Sequence, residues 1–439
     1  MNDVLLLPLL FAASTTLAPA APEAARLTVG RAVALALDHA PEIAIARAGA
    51  EAASSAVLEA SSPRRPQAYV LTTPGYSTGV PLSVAGEVPA AVGARVRVTL
   101  YDPFGRGDEL AAGAEAAAAQ GALAAAREDV ARRAAAACAR LSADEARVAA
   151  ASRALEARET LASRARALAR EGRLTDVDVE RAALDSARAR QRLFAAESDR
   201  DLDRYELARL TGLPAGSIPA LADDASEAVP EPEGEDTASR ALARDPRLSA
   251  LALEADALSR SARLLSQTFK PAVNAEARYA YVPRGFGYDK YYLNFQENVA
   301  SVGVSVVLPL LTGGREAAQA ARARARSEQV EAERRLREED LAREARTADA
   351  RRERAGLEAG IARRAVSLAE AELAQARALA REGRGEADGV ERRLLELSEA
   401  EDKLALALRE QVETRLSVHA LRGELLSALG LPAASAPGP

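Results

Sequence analysis

The chain has 439 residues, and its 58 basic and 64 acidic side chains are closely interspersed for a formal net charge of −6, which excludes the one-sided basic surface that nucleic acid requires. Aromatics make up only 3%, tryptophan is absent, and the apolar fraction of 48% comes mainly from alanine. This composition argues against a large globular core and suits long, thin helices in close contact.

Cys138 is the only cysteine, so an intrachain disulfide and a cysteine-based metal site are excluded as well. Within RRAAAACARL it reads as a small residue in helix packing. At the N-terminus, MNDVLLLPLLFAASTTLAPAAPEAARLT joins a short apolar run, Val4 to Ala13, to a small-residue site at Ala18-Pro19-Ala20. It predicts a signal peptide over 1–20 and hence export. Its leading region departs from the usual pattern, with Asp3 and no Lys or Arg. No other stretch approaches ~18 uninterrupted apolar residues, so no transmembrane helix is expected.

A first helix is predicted over roughly 28–62, with Leu27, Val33, Leu35 and Leu37 as early apolar positions. It stops before Pro66, because the residue preceding a proline avoids helical backbone. Two strands follow. QAYVLTTPGYSTGV, from position 67, is irregular and weakened by Pro74 and Gly75. In the next, Val92, Ala94, Val96, Val98 and Leu100 alternate with Gly93, Arg95, Arg97 and Thr99. A helical run over 107–170 comes next, about 100 Å long at 1.5 Å per residue. Gly172 then marks a turn into a return helix of about 36–40 residues.

The same grammar then recurs: a helix over 237–269 ending before Pro271, two strands, a long run over 315–382, a turn at Gly383 and a return helix. Val273, Ala275, Ala277, Tyr279 and Tyr281 mark one strand face, and Val302, Val304, Val306 and Leu308 the next. The opposite faces carry Arg95, Arg97, Glu276 and Arg278, so they meet water rather than a dry core. Between these strands, RGFGYDKYYLNFQEN is rich in Tyr and Phe, as suits an aromatic girdle and an exposed tip.

Landmarks confirm a duplication. ARALAREGR occurs at 165–173 and again at 376–384, 211 positions later, and Val179-Glu180-Arg181 faces Val390-Glu391-Arg392 at that same offset. HAPEI (39–43) faces RDPRL (244–248), and GLPA at 212–215 recurs at 430–433. The last offset exceeds 211 by seven residues, two helical turns, which keeps the inward face inward. In each copy the first helix and the return helix together match the single long run, so two short helices stacked end to end fit beside one long one. The boundaries read 1–20 signal peptide, 21–222 first repeat, 223–236 linker, 237–430 second repeat and 431–439 flexible tail.

This order of elements resembles the outer-membrane efflux proteins of the TolC type. LTVGRAVALALDHAPEIAIARAGAEAASSAVLEA resembles that family's opening helix, and VGVSVVLPLLTGGREAAQAARAR its passage from last strand to long helix. EGRLTDVDVERA resembles its hairpin-tip pattern through Gly172, Asp178, Val179 and Ala182. The resemblance covers nearly the whole mature chain. It implies a mainly α fold with membrane β-strands, in which a homotrimer builds a 12-stranded β-barrel continuing into a periplasmic α-helical barrel. The implied role is the exit duct of a tripartite efflux or type I secretion system in the outer membrane, passively conducting substrate. The implied partners are outer-membrane lipid, a periplasmic adaptor and an inner-membrane transporter.

By the same resemblance, Gly172, Leu174, Thr175, Asp178 and Val179, with Gly383 and Val390, are the hairpin-tip residues that the adaptor contacts. Acidic residues beyond the second turn would form the gate. Here the second tip reads GRGEADGVERR, with Gly389 where the pattern expects Asp, so Asp388 and Glu391 are the candidates, with Arg392 pairing across protomers.

Four strands cannot close a barrel and about eight is the practical minimum, so the chain must assemble: a dimer gives eight, a trimer twelve. An enzyme, a cofactor and a metal are not expected. His39 and His419 are the only histidines and each sits in an amphipathic helical pattern, while LTGGREAAQ lacks the Lys and spacing of a phosphate-binding loop. The competing readings are an elongated periplasmic coiled-coil scaffold and an adaptor. A scaffold would not need charged-faced strands at equivalent points of both halves, and an adaptor carries one helical hairpin with small β-domains rather than two full duplicates.

Overall fold

The computed structural model describes residues 27–72, 92–214, 216, 218–219, 221, 228–234, 236–266, 271–281, 296–308, 313–386 and 388–431. The expected signal peptide, Pro74 and Gly75, most of the aromatic loop and the tail from 432 lie outside these residues.

The opening helix of each repeat is broken in two, contrary to the single helices expected over 28–62 and 237–269. The first repeat has α1 (Val29–His39) and α2 (Pro41–Ser61); the second has α5 (Thr237–Arg244) and α6 (Pro246–Leu265). The cause lies in HAPEI and RDPRL. Pro41 and Pro246 open new helices, and the residues before them, Ala40 (ψ 123) and Asp245 (ψ 119), are extended, as pre-proline residues prefer. Asp245 also caps α6 by accepting from the Leu248 amide at 2.7 Å.

Between and after these pairs come the strands β1 (Gln67–Leu71), β2 (Val92–Tyr101), β3 (Ala272–Tyr281) and β4 (Asn298–Val307). The long helices are α3 (Pro103–Arg170) and α7 (Arg315–Arg381); the return helices are α4 (Asp176–Thr211) and α8 (Gly389–Leu421). A short helix, α9 (Leu425–Ala428), follows. Helix α3 starts four residues before the expected 107 because Asp102 accepts from the Phe104 amide at 3.0 Å and Pro103 is suited to the first helical position.

The helices form four parallel columns. Helices α2 and α4 stack along one side of α3, α6 and α8 lie along its other side, and α7 packs on the α6–α8 column. Columns approach closely because small residues meet: a Cβ added at Gly121 of α3 would lie 2.5 Å from the Ala250 Cβ of α6. The largest buried cluster joins α1, the middle of α3 around Ala134–Ala139, the end of α4 and the end of α8. Cys138 sits there fully buried, and burial pushes its thiol up to about 12.

Arginines tie the columns together. Arg147 of α3 donates to Asp199 of α4 at 3.3 Å and to Asp402 of α8 at 3.1 Å, while holding the buried Asp144 at 3.0 Å. Where described, the stretch read as a linker is docked on α8. The fully buried Arg422 donates to the carbonyls of Glu233 and Gly234 at 2.6 and 2.7 Å, and His419 contacts the Pro230 carbonyl at 3.0 Å. His39 contacts the Leu35 carbonyl in its own helix at 3.1 Å.

The four strands make one antiparallel sheet in the order β1-β2-β3-β4, with the second repeat's hairpin beside the first's. Register puts Val96 opposite Ala277 and Ala277 opposite Val302, so one face is apolar along most of its length, ending at Asn298 opposite Tyr281. On the other face Arg97 stands opposite Glu276 and Arg95 opposite Arg278. Glu276 pairs with Arg97 and Arg278 at 3.0 Å and with Arg95 at 3.3 Å. The apolar face is uncovered: Val302 is 87% exposed, and Val304 and Val306 are 65% exposed.

Candidate functional site at the hairpin tips

The two α-hairpins end side by side, and their turns are built alike. In the first, Gly172 has φ +71, and the Arg173 amide reaches back to the Leu168 carbonyl at 2.9 Å. In the second, Gly383 has φ +71, and the Arg384 amide reaches the Leu379 carbonyl at 2.9 Å. Both are left-handed glycine terminations, which satisfy the last carbonyls of a helix and let the chain reverse without a Cβ clash. The nine-residue repeat is therefore the end of a long helix plus its stop.

Beyond the turn the tips differ. Thr175 and Asp178 form a capping box on α4: the Asp178 amide donates to Thr175 Oγ1 at 3.3 Å, and Asp178 Oδ2 accepts from the Thr175 amide at 3.2 Å and its hydroxyl at 2.6 Å. These hydrogen bonds hold the Asp178 carboxyl below its usual range. At the same offset the second copy has Glu386 and Gly389, which cannot make the box, and α8 starts with no side-chain cap.

Asp388 instead faces the other hairpin. Arg164 of α3 donates to Asp388 Oδ1 at 3.4 Å and pairs with Glu391 at 2.7 Å. Arg392 pairs with Glu386 at 3.2 Å and approaches Asp388 at 4.0 Å. The described partners of Arg392 lie within its own chain. Arg392 stands one helical turn from Asp388, within reach of its carboxylate. The residue that joins the two hairpins, Arg164, was not singled out in the sequence. The available signal was its place just before the repeat, where the second copy has Gln375.

Among the other tip residues, Leu174 and Asp178 line a cleft of about 210 Å3 with Arg164, Asp388 and Arg392. Val179 is half-buried. Val390 packs against Leu373 and Leu397 within its own hairpin. The exposed apolar side chain of the first tip is Val177, at 67%. Among the described residues, no group of His, Cys, Asp and Glu side chains is arranged to hold a metal ion.

Neither a protein-family profile nor any curated protein matches the sequence. Solved structures do match in fold. The outer-membrane channel OprN superposes with a TM-score of 0.71 at 19% identity, covering 90% of each chain. CusC, described for its transmembrane channel formation, gives 0.71 at 17% identity over 92% of each chain. VceC, an outer membrane protein of Vibrio cholerae, gives 0.66 at 20% identity over 92% of this chain and 97% of its own. The chain therefore has the fold of these outer-membrane proteins over 90–92% of its length, which is the fold the TolC-type resemblance implied.

Proposed function

We propose that this chain is the outer-membrane exit duct of a tripartite efflux or secretion system, working as a homotrimer that conducts substrate without chemistry. One observation carries the reading: a sheet whose apolar face is uncovered and whose outer strands, β1 and β4, each have only one described neighbour. Unpaired backbone groups are not tolerated in lipid, so the edge of one copy must meet the opposite edge of the next until the ring closes. Three copies give twelve strands, with Val302, Val304 and Val306 toward lipid and the Arg95–Arg97–Glu276–Arg278 face toward a water-filled lumen. The helical columns, on the order of 100 Å long, continue that lumen into the periplasm.

The helical part supports the same closure. On α7, Leu336, Leu357, Ile361, Leu368 and Leu379 are exposed by 39–67% and fall within a sector of about 60°. On the far column, Ile45, Leu58, Val177, Leu184, Phe194, Leu202 and Tyr205 are exposed. Both flanks of the chain thus present apolar side chains that a neighbouring copy covers.

In this reading the hairpin tips are the periplasmic entrance. Gly172, Leu174, Thr175, Asp178 and Val179, with Gly383 and Val390, shape the surface that the adaptor meets, to which the exposed Val177 adds an apolar side chain. Asp388, Glu391 and Arg392, with Arg164, form the gate. The test is native mass and conductance of the detergent-solubilised protein: three copies per particle and ion conduction in planar bilayers are expected. A detergent-free soluble monomer overturns the reading in favour of a periplasmic scaffold. Neutralising Asp388 and Glu391 together is expected to raise conductance and weaken cation preference, and unchanged conductance removes them from the gate.

A further inference from the structure

The third column is interrupted where α8 ends and α6 begins. There α3 and α7 border a cavity of about 920 Å3, lined by residues on both sides of Pro246 and Gly423. Two short helices meeting end to end leave a gap that one continuous helix would fill.

Most charges in its wall are matched. Arg337 pairs with Asp245 at 2.8 Å and Glu344 at 3.6 Å, Arg132 with Asp129 at 2.8 Å, and Arg244 with Glu424 at 2.7 Å. Arg343 pairs with Asp340 at 2.7 Å, and Glu413 with Arg409 at 3.3 Å. Three guanidiniums are left over: Arg127 of α3, Arg247 of α6 and Arg351 of α7. Among the described residues, none of the three has a hydrogen bond or ion pair. Two carboxyls are also left. Glu128 has a buried Oε2 without a partner, and burial pushes it toward the neutral acid. Glu410 acts on Arg354, which is not part of the wall. Three guanidiniums therefore stand against two carboxyl side chains in this part of the wall.

We propose that this cavity binds a small multivalent oxyanion, such as a molecule carrying pyrophosphate or several carboxylates, between Arg127, Arg247 and Arg351. A guanidinium presents a planar fork that fits such groups with two parallel hydrogen bonds, and three forks from three helices suit more than one charge. A partly enclosed cavity of this size accepts a small organic molecule and strengthens the local field. The site goes beyond the duct reading and stands without it, because binding is measured whether or not the protein conducts.

The test is calorimetric titration of the full chain in detergent with inorganic pyrophosphate at fixed ionic strength. Saturable binding at one site per chain is expected. The pair Arg127→Gln and Arg351→Gln weakens it by about a hundredfold, on the order of tenfold for each charged hydrogen-bonding group removed. Arg324→Gln, on α7 but outside the cavity, leaves it unchanged. Glu410→Gln, which keeps every guanidinium, tightens binding severalfold. The site is overturned by no saturable binding, by equal affinity in the Arg127/Arg351 variant, by an equal loss in the Arg324 control, or by no tightening in the Glu410 variant.

Discussion

The two long helices occupy equivalent places in the two repeats, and their surroundings are opposite. Helix α3, with 68 residues, lies between two columns; Ala134, Ala135 and Ala137 are fully buried, and it has no exposed large apolar side chain. Helix α7, with 67 residues, is covered on one side only and exposes a stripe of Leu and Ile. Duplication copied the helix but not its environment. One copy supplies the inside of the chain and the other its exposed edge, the edge that the proposed assembly would cover.

Substitutions that break this contrast have unequal costs. The largest effect is expected from Ala135→Asp, which puts an unpaired charge into the main cluster at a cost of about 3–5 kcal/mol. Helicity by circular dichroism and the melting temperature should both fall. A double change on the other helix, Leu357→Asp with Ile361→Asp, should leave the helical content of the chain intact and dissociate the assembly, read as native mass in detergent. If α7 tolerates the change and the trimer persists, the edge assignment is wrong.

The tips offer a finer contrast, because the turn is shared and the cap is not. Thr175→Ala removes the box from α4 and should cost about 1 kcal/mol, seen as faster amide exchange in the first turn of that helix. Conversely, Glu386→Thr with Gly389→Asp places the box residues at the matching offset and should start α8 up to two residues earlier, slowing exchange at its beginning. The smallest stability effect is expected from Arg164→Gln, below about 1 kcal/mol because the pair is half-exposed. The distance between the hairpin tips, measured with spin labels, should nevertheless increase.

Acid separates the tips as well. The Asp178 carboxyl is held below its usual value in the folded chain, so its contribution is full above the unfolded carboxylate range and is lost as pH falls through the folded value. Acidification below about pH 4 should therefore loosen the start of α4. The start of α8 should show no corresponding loss, because no box exists there to protonate.

Much of the fold was legible in local patterns. Alternation of Val and Ala with Arg, Glu and Ser placed the strands, and Gly172 and Gly383 marked both reversals. The breaks at Pro41 and Pro246 were equally legible; the rule used to end helices at Pro66 and Pro271 applies there too, but the surrounding apolar rhythm concealed it. The candidate site was legible only in part. The capping box is a four-residue pattern and follows from Thr175 and Asp178 alone. Arg164 and its two carboxylates are 224 and 227 positions apart in sequence, and no local signal joins them.

By itself, then, the sequence determined what depends on near neighbours: helix lengths, strand faces, glycine stops and the duplication that repeats them. Tertiary structure decided what depends on which elements lie side by side. It put α3 inside and α7 at the edge, brought Arg164 to the second hairpin, and left three arginines around the gap between α8 and α6. The physical reason is that backbone propensity acts over a few residues. Packing of alanine-rich helices and pairing of charges depend instead on the order of the columns, which the charge pattern of any single helix does not encode.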